Sequence, residues 1–116
     1  MTRVDRVLIH VSESRRLVID PSSVYYLEAD ADDTIVRRRG ARPLRDVRPL
    51  GKILPAFEPH GFLRVHDNHA VNLRRVRQIR RQAKGSGWEL RLQPPVNVVL
   101  PVARRRQVAL FEAYGG

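Results

Sequence analysis

The sequence predicts a mainly β domain of antiparallel strands and hairpins, with one short internal helix and a helix at the C-terminal end. Three observations carry this expectation. Short runs of β-branched and aliphatic residues recur along the chain, each of roughly the length of a strand. They are separated by turn chemistry: SES at 12–14, DPSS at 20–23, DADD at 30–33, EPHG at 58–61, KGSG at 84–87 and QPP at 93–95. Apolar residues fall at helical spacing in only two places, before Phe57 and before Tyr114.

The first run, VDRVLIHV from Val4 to Val11, and the second, RRLVID from Arg15 to Asp20, form a hairpin around Ser12, Glu13 and Ser14. His10, between Ile9 and Val11, is expected to be a half-exposed structural histidine. A strand from Val24 to Ala29 then leads through the acidic turn Asp30–Asp33 to TIVRRR, Thr34 to Arg39, a second hairpin. The acidic turn lacks the glycine and distal glutamate of a calcium loop and is read as solvated. In DVRPLGKILPAF, Leu50, Ile53, Leu54 and Phe57 recur at i, i+3, i+4 and i+7. That is a short amphipathic helix, with Asp46 expected as its N-cap, Pro49 in its first turn and Pro55 near its end.

The stretch FLRVHDNHAVNLRRVRQI, Phe62 to Ile79, organises the rest. Leu63, Val65, Val71, Leu73, Val76 and Ile79 anchor it in a core. Alternation sets Leu63 and Val65 on one strand face and Arg64 and His66 on the other, and continuing the strand would bury the charge of Asp67. The strand is therefore expected to end near His66 and a polar loop to begin. One tight turn follows Asn72, then a strand from Val76 to Ala83. The KGSG turn leads into WELRL with Trp88, Leu90 and Leu92 on one face, and a last strand runs from Val96 to Val102, where Pro101 suits an edge. Ala103 to Tyr114 is a helix with Val108, Leu110, Phe111 and Tyr114 on one side and Gly115 as its stop. Arg104, Arg105 and Arg106 would occupy its first turn, where cations oppose the helix dipole. Exposed N–H groups and guanidinium forks at one helix start would suit a phosphate. In all, eight or nine short strands are expected.

Length sets residues 1–116 as a single domain, burying roughly two-thirds of its unfolded surface. There is no cysteine, which excludes disulfides, a thiol nucleophile and cysteine-ligated metal sites. No apolar run approaches the roughly 20 residues needed to span a bilayer, and MTRVDRVLIHVSESRR has no signal-like apolar block. A cytoplasmic location, with no membrane partner, is expected. The formal net charge is +10, and 20 of the 22 basic residues are arginine. Residues 1–63 carry 11 basic and 9 acidic side chains, residues 64–116 carry 11 and 3. The excess lies in the half containing the polar loop, which favours an anionic partner, and arginine favours phosphate forks and base edges.

FLRVHDNHAVNLRRVRQI, followed by WELRL and LPVARRR, resembles the signature of the LytTR DNA-binding domain of bacterial response regulators. VYYLEAD and the helix ending near Phe57 fall where that family has its own, so the resemblance covers nearly the whole chain. It implies a LytTR-like β module whose loops enter successive major grooves of double-stranded DNA, often on paired repeats that recruit two protomers, a homodimer on DNA. Carried over residue by residue, His66 and Asp67 match a base-reaching loop, Arg104 a groove-entering arginine after the final strand, and Asn72 the asparagine that shapes the loop. Arg74 and Arg75 join as phosphate contacts flanking the loop, and Arg105 and Arg106 complete the arginine cluster. Three departures stand out. Asp67 replaces a basic or amide residue and can accept from cytosine N4; Asn68 replaces a serine and can read adenine N6 and N7. Ala103 replaces a serine that would cap the last helix.

On the residues alone, His66 also suits a surface histidine and Asn72 a turn cap, and no third ligand accompanies His66 and His69 to make a metal site. No cofactor is expected. No glycine-rich phosphate loop, serine elbow or acid and base pair supports an enzyme. Two binding classes remain: a transcription-regulator module for duplex DNA, and a small basic RNA-binding module, which would ordinarily expose aromatic rings for base stacking. No receiver or sensor segment is read within 1–116, so regulatory input is expected from elsewhere.

Overall fold

A computed structural model describes residues 2–116. Among these, ten strands form three antiparallel sheets. β1 (Val7–His10) and β2 (Arg16–Ile19) make a two-stranded hairpin. β3 (Val24–Asp30), β4 (Asp33–Arg38), β5 (Leu44–Asp46), β6 (Phe62–His66) and β7 (His69–Asn72) make a five-stranded sheet in the order β5-β4-β3-β7-β6. β8 (Val76–Arg81), β9 (Trp88–Leu92) and β10 (Val99–Val102) make the third, in the order β10-β9-β8, so Pro101 does lie on an edge strand. The helices are α1 (Leu50–Phe57) and α2 (Gln107–Ala113).

The five-stranded sheet is buried on both faces, because alternate residues of its central strands enter two different clusters. Leu27, Phe62 and Ala70 join Val7, Ile9 and Ile19 of the β1–β2 hairpin and Leu50, Ile53, Leu54 and Phe57 of α1. Tyr26, Val65 and Val71 join Leu90, Leu92, Leu100 and Val102 of the third sheet and Leu110 of α2. Phe57 and Phe62 meet edge to face at 4.9 Å. Each such aliphatic or aromatic side chain contributes roughly 1.5–3 kcal/mol on burial, so two small clusters suffice for a chain of this length.

Four expectations change. Asp46 does not cap α1: it ends β5, fully buried, and Pro49 occupies the N-cap position with no side-chain bond. The segment after His66 is not one continuous loop, since β7 returns after a two-residue turn and pairs with both β6 and β3. β5 and β7 raise the strand count to ten. Finally, Arg104–Arg106 are not the first turn of the last helix but a separate 3-10 turn before it. In β8 a register shift between Val76 and Gln78 puts one extra residue in the strand.

Candidate nucleic-acid interface

The strands place four connections at one end of the molecule. The β6–β7 turn, Asp67 and Asn68, is tied to the β3–β4 end because the Ala29 N–H donates to the Asn68 carbonyl at 2.9 Å. The start of the 104–106 turn is tied to β6 by the Ala103 N–H, which donates to the Val65 carbonyl at 2.8 Å. β10 and β9 are in register with Val102 opposite Trp88, which sets the residue after Val102 beside the β8–β9 turn. There Arg104 Nη2 donates to Ser86 Oγ at 3.3 Å.

His66 and the arginine turn therefore share an end. His66 closes the tip of the β6–β7 hairpin opposite His69, and its Nδ1 accepts from the Asn68 N–H at 3.2 Å. Asp67 is exposed; Arg105 Nη2 donates to its Oδ1, and Arg106 Nη2 lies 3.8 Å from the same oxygen. Arg64, on the β6 face away from Leu63 and Val65, donates from Nη2 to the Asp67 carbonyl at 2.6 Å. His69 is nearly buried beside Glu28, with Nε2 3.6 Å from Oε2. Burial lowers its pKa, the Glu28 carboxylate opposes that shift and His66 adds to it. Glu28 itself accepts from Arg37 at 2.7 Å.

Asn72, Arg74 and Arg75 are elsewhere. Asn72 is buried; its Nδ2 donates to the Val24 carbonyl at 3.0 Å, and its Oδ1 accepts from the Arg74 N–H at 3.0 Å. Its amide is thus spent on shaping the turn that follows β7. Arg74 and Arg75 do not flank the His66 turn, because β7 carries the chain roughly 10 Å away to its other end. Arg75 Nη2 there donates to the Ser22 carbonyl at 2.7 Å and its guanidinium lies over the Tyr25 ring at 5.1 Å. Together with Arg6, Asp20, His60 and Arg74 it lines an open hollow of about 690 Å³.

Some residues of this end were not singled out from the sequence. Alternation set Arg64 on the face of His66, but a register shift between the two puts Arg64 opposite Ala70 and His66 opposite His69, on the other face. Lys84 and Ser86 belong to a connection read only as a flexible turn, and Arg81 to the end of the strand before it; the length of the β9–β10 hairpin is the signal that brings them to Arg104. Arg81 lies over the Trp88 ring at 4.3 Å and donates to the Ser86 carbonyl at 2.5 Å. Among the described residues, Arg81, Lys84 and Arg104 make no ion pair with any carboxylate, whereas Arg37, Arg45, Arg48 and Arg80 each do. Beside this cationic end, Asp30 and Asp33 are neutralised by Arg45 at 2.6 and 3.2 Å. Among the described residues no three His, Asp or Glu side chains come together as a metal site, and no helix is long and apolar enough to cross a membrane.

The model of one family, the LytTr DNA-binding domain, matches residues 14–115. Among solved structures, the chain is similar to the LytTr DNA-binding domain of a putative methyl-accepting/DNA response regulator from Bacillus cereus, with a TM-score of 0.76 at 18% identity. That likeness covers 98% of this chain and 100% of the other. No curated protein matches.

Proposed function

Because the chain belongs to the LytTR DNA-binding domain family, we propose that it is the sequence-specific double-stranded-DNA-binding module of a bacterial transcription regulator. The observation that supports this most is the convergence of the His66–Asn68 turn and the Arg104–Arg106 turn at one end of the molecule, with Arg64 and Arg81 beside them. In this reading the two turns enter successive major grooves. His66, Asp67, Asn68 and Arg104 reach base edges, and Arg105, Arg106, Arg81 and Lys84 contact phosphates, which supply most of the affinity. Asn72 acts through the turn it shapes. Arg74 and Arg75 belong to the opposite end. Two protomers occupy paired repeats, each through the same turns.

The proposed module binds rather than catalyses. The RNA alternative needs exposed rings on which bases stack. Here Phe57, Phe62, Tyr25 and Tyr26 are buried, and Trp88 packs edge-on against Phe111 at 5.1 Å under Arg81. Among the described residues Tyr114 is the one exposed Phe, Tyr or Trp ring, and its hydroxyl is held by the Leu73 carbonyl at 2.5 Å.

Selection of duplexes from a random pool, with single-stranded RNA as competitor, tests the function. A defined duplex motif is expected to emerge, and RNA of equal length to compete poorly. Arg104→Ala is expected to cost about 1–3 kcal/mol against that motif and to relax preference at one position. Equal weakening on every sequence would make Arg104 a phosphate contact and remove it from base reading.

A further inference from the structure

Asp67 is the one carboxylate of the 66–68 turn, and three arginines are drawn to it. Arg105 bonds its Oδ1, Arg106 stands at 3.8 Å, and Arg64 holds its backbone carbonyl. Arg105 and Arg106 are the cations of the neighbouring turn that would otherwise be free for phosphates. Resting on the DNA-binding reading, we infer that Asp67 makes tight binding conditional on sequence. It withholds Arg105 and Arg106 from phosphates until the duplex offers the carboxylate an amino donor in their place, and that donor is cytosine N4.

The argument turns on which state of Asp67 is costly. Its pair with Arg105 is 63% and 67% exposed, so the pair itself is weak and exchangeable with solvent. A carboxylate left without its arginines beside the phosphate backbone is the unfavourable state, because the local field is negative and the groove strips its water. Guanine presents O6 and N7 and thymine presents O4, all acceptors that repel a carboxylate. Adenine offers N6–H but sets the N7 acceptor beside it. Cytosine offers N4–H alone, so only there is the released carboxylate satisfied while Arg105 and Arg106 move to phosphate oxygens. Arg64 keeps the turn in shape through the exchange, since its bond is to the Asp67 main chain and not to the carboxylate.

The experiment compares the intact chain, Asp67→Asn and Glu58→Gln by anisotropy titration. The duplexes are the pool-selected one, the same duplex with each C·G pair changed in turn to T·A, and a random-sequence duplex. Glu58→Gln makes the same change in net charge at the other end of the β6–β7 hairpin, where the Glu58 carbonyl accepts from the Gly61 N–H. The intact chain is expected to favour C over T at one position by roughly tenfold or more, the usual worth of a good base contact. Asp67→Asn is expected to reduce that preference below about threefold and to tighten binding to the random duplex by roughly tenfold, as two more cations reach phosphates. Glu58→Gln is expected to do neither. If Asp67→Asn keeps the cytosine preference, or tightens all duplexes by no more than Glu58→Gln does, the inference is overturned while the DNA-binding function stands. If the intact chain binds no duplex more tightly than single-stranded RNA, the proposed function falls and the inference with it.

Discussion

Asp46 is the side chain whose chemistry and placement depart furthest from its sequence neighbourhood. Its carboxylate is fully buried and accepts from the His10 N–H at 2.9 Å, the Arg48 N–H at 2.9 Å, and Arg48 Nε and Nη2 at 3.0 and 2.8 Å. Burial alone would raise its pKa; the bonds from Arg48 and the two backbone N–H groups outweigh that and hold it below the ordinary value. A depressed native pKa means that the unfolded chain binds the proton first as pH falls. The stabilisation is therefore complete above the unfolded carboxylate value of about 4 and is lost as pH drops through the lower native value. Asp46→Asn leaves Arg48 without its charge partner and is expected to cost about 2–3 kcal/mol at neutral pH, at the low end for a buried pair because Arg48 is partly exposed. Urea unfolding followed from pH 7 to 3 checks this: the midpoint of the intact chain falls at the acid end, and that of the variant is lower and flatter. Asp46 was visible in the sequence as a helix-cap residue type before an apolar period. Its true partner, the His10 backbone 36 positions earlier, leaves no local trace.

Among the elements, α1 shows periodicity prevailing over propensity. Leu50, Ile53, Leu54 and Phe57 share its buried face, and the helix forms despite Gly51, Pro55 inside it and no side-chain cap. Gly51 is exposed, and a Cβ there meets nothing within 4 Å. Gly51→Ala is expected to stabilise the fold by about 0.5–1 kcal/mol through the smaller backbone entropy of the unfolded chain, raising the midpoint of thermal unfolding by a few degrees. No change or a fall in that midpoint would show that the helix start is strained. The strands were legible where one face met the core and the other solvent. β7 was not, because Ala70, Val71 and Asn72 are all buried at the centre of a covered sheet and show no polar alternation. β5 has three residues, too few for a period. α2 buries Leu110 while Val108 is exposed, because residues two apart on an α-helix face opposite sides and cannot share one apolar side.

At the scale of the molecule, 45 by 31 by 27 Å, the two ends of the β6–β7 hairpin differ in kind. One gathers the His66–Asn68 and Arg104–Arg106 turns with Arg81 and Lys84; the other gathers Asn72, Arg75 and Ser22 into side-chain-to-backbone bonds. Binding measured against salt separates them. Lys84→Ala is expected to weaken all duplexes about equally and to lower the slope of log K on log salt by about 0.9, the signature of one lost phosphate contact. Arg75→Ala is expected to leave that slope unchanged and affinity within about twofold. A lowered slope for Arg75→Ala would mean that the duplex runs the length of the hairpin instead of meeting its tip.

The sequence by itself determined the antiparallel β class, the two helical stretches, the end of β6 at His66, and the segments carrying the excess charge. These are local consequences of period, turn chemistry and charge, each written within a few neighbouring residues. Which of those charges stand together was decided only by tertiary structure. Strand register is a long-range property: β7 carries Arg74 and Arg75 away from a turn they nearly adjoin in sequence, while the Ala103–Val65 and Arg105–Asp67 contacts join positions 38 apart.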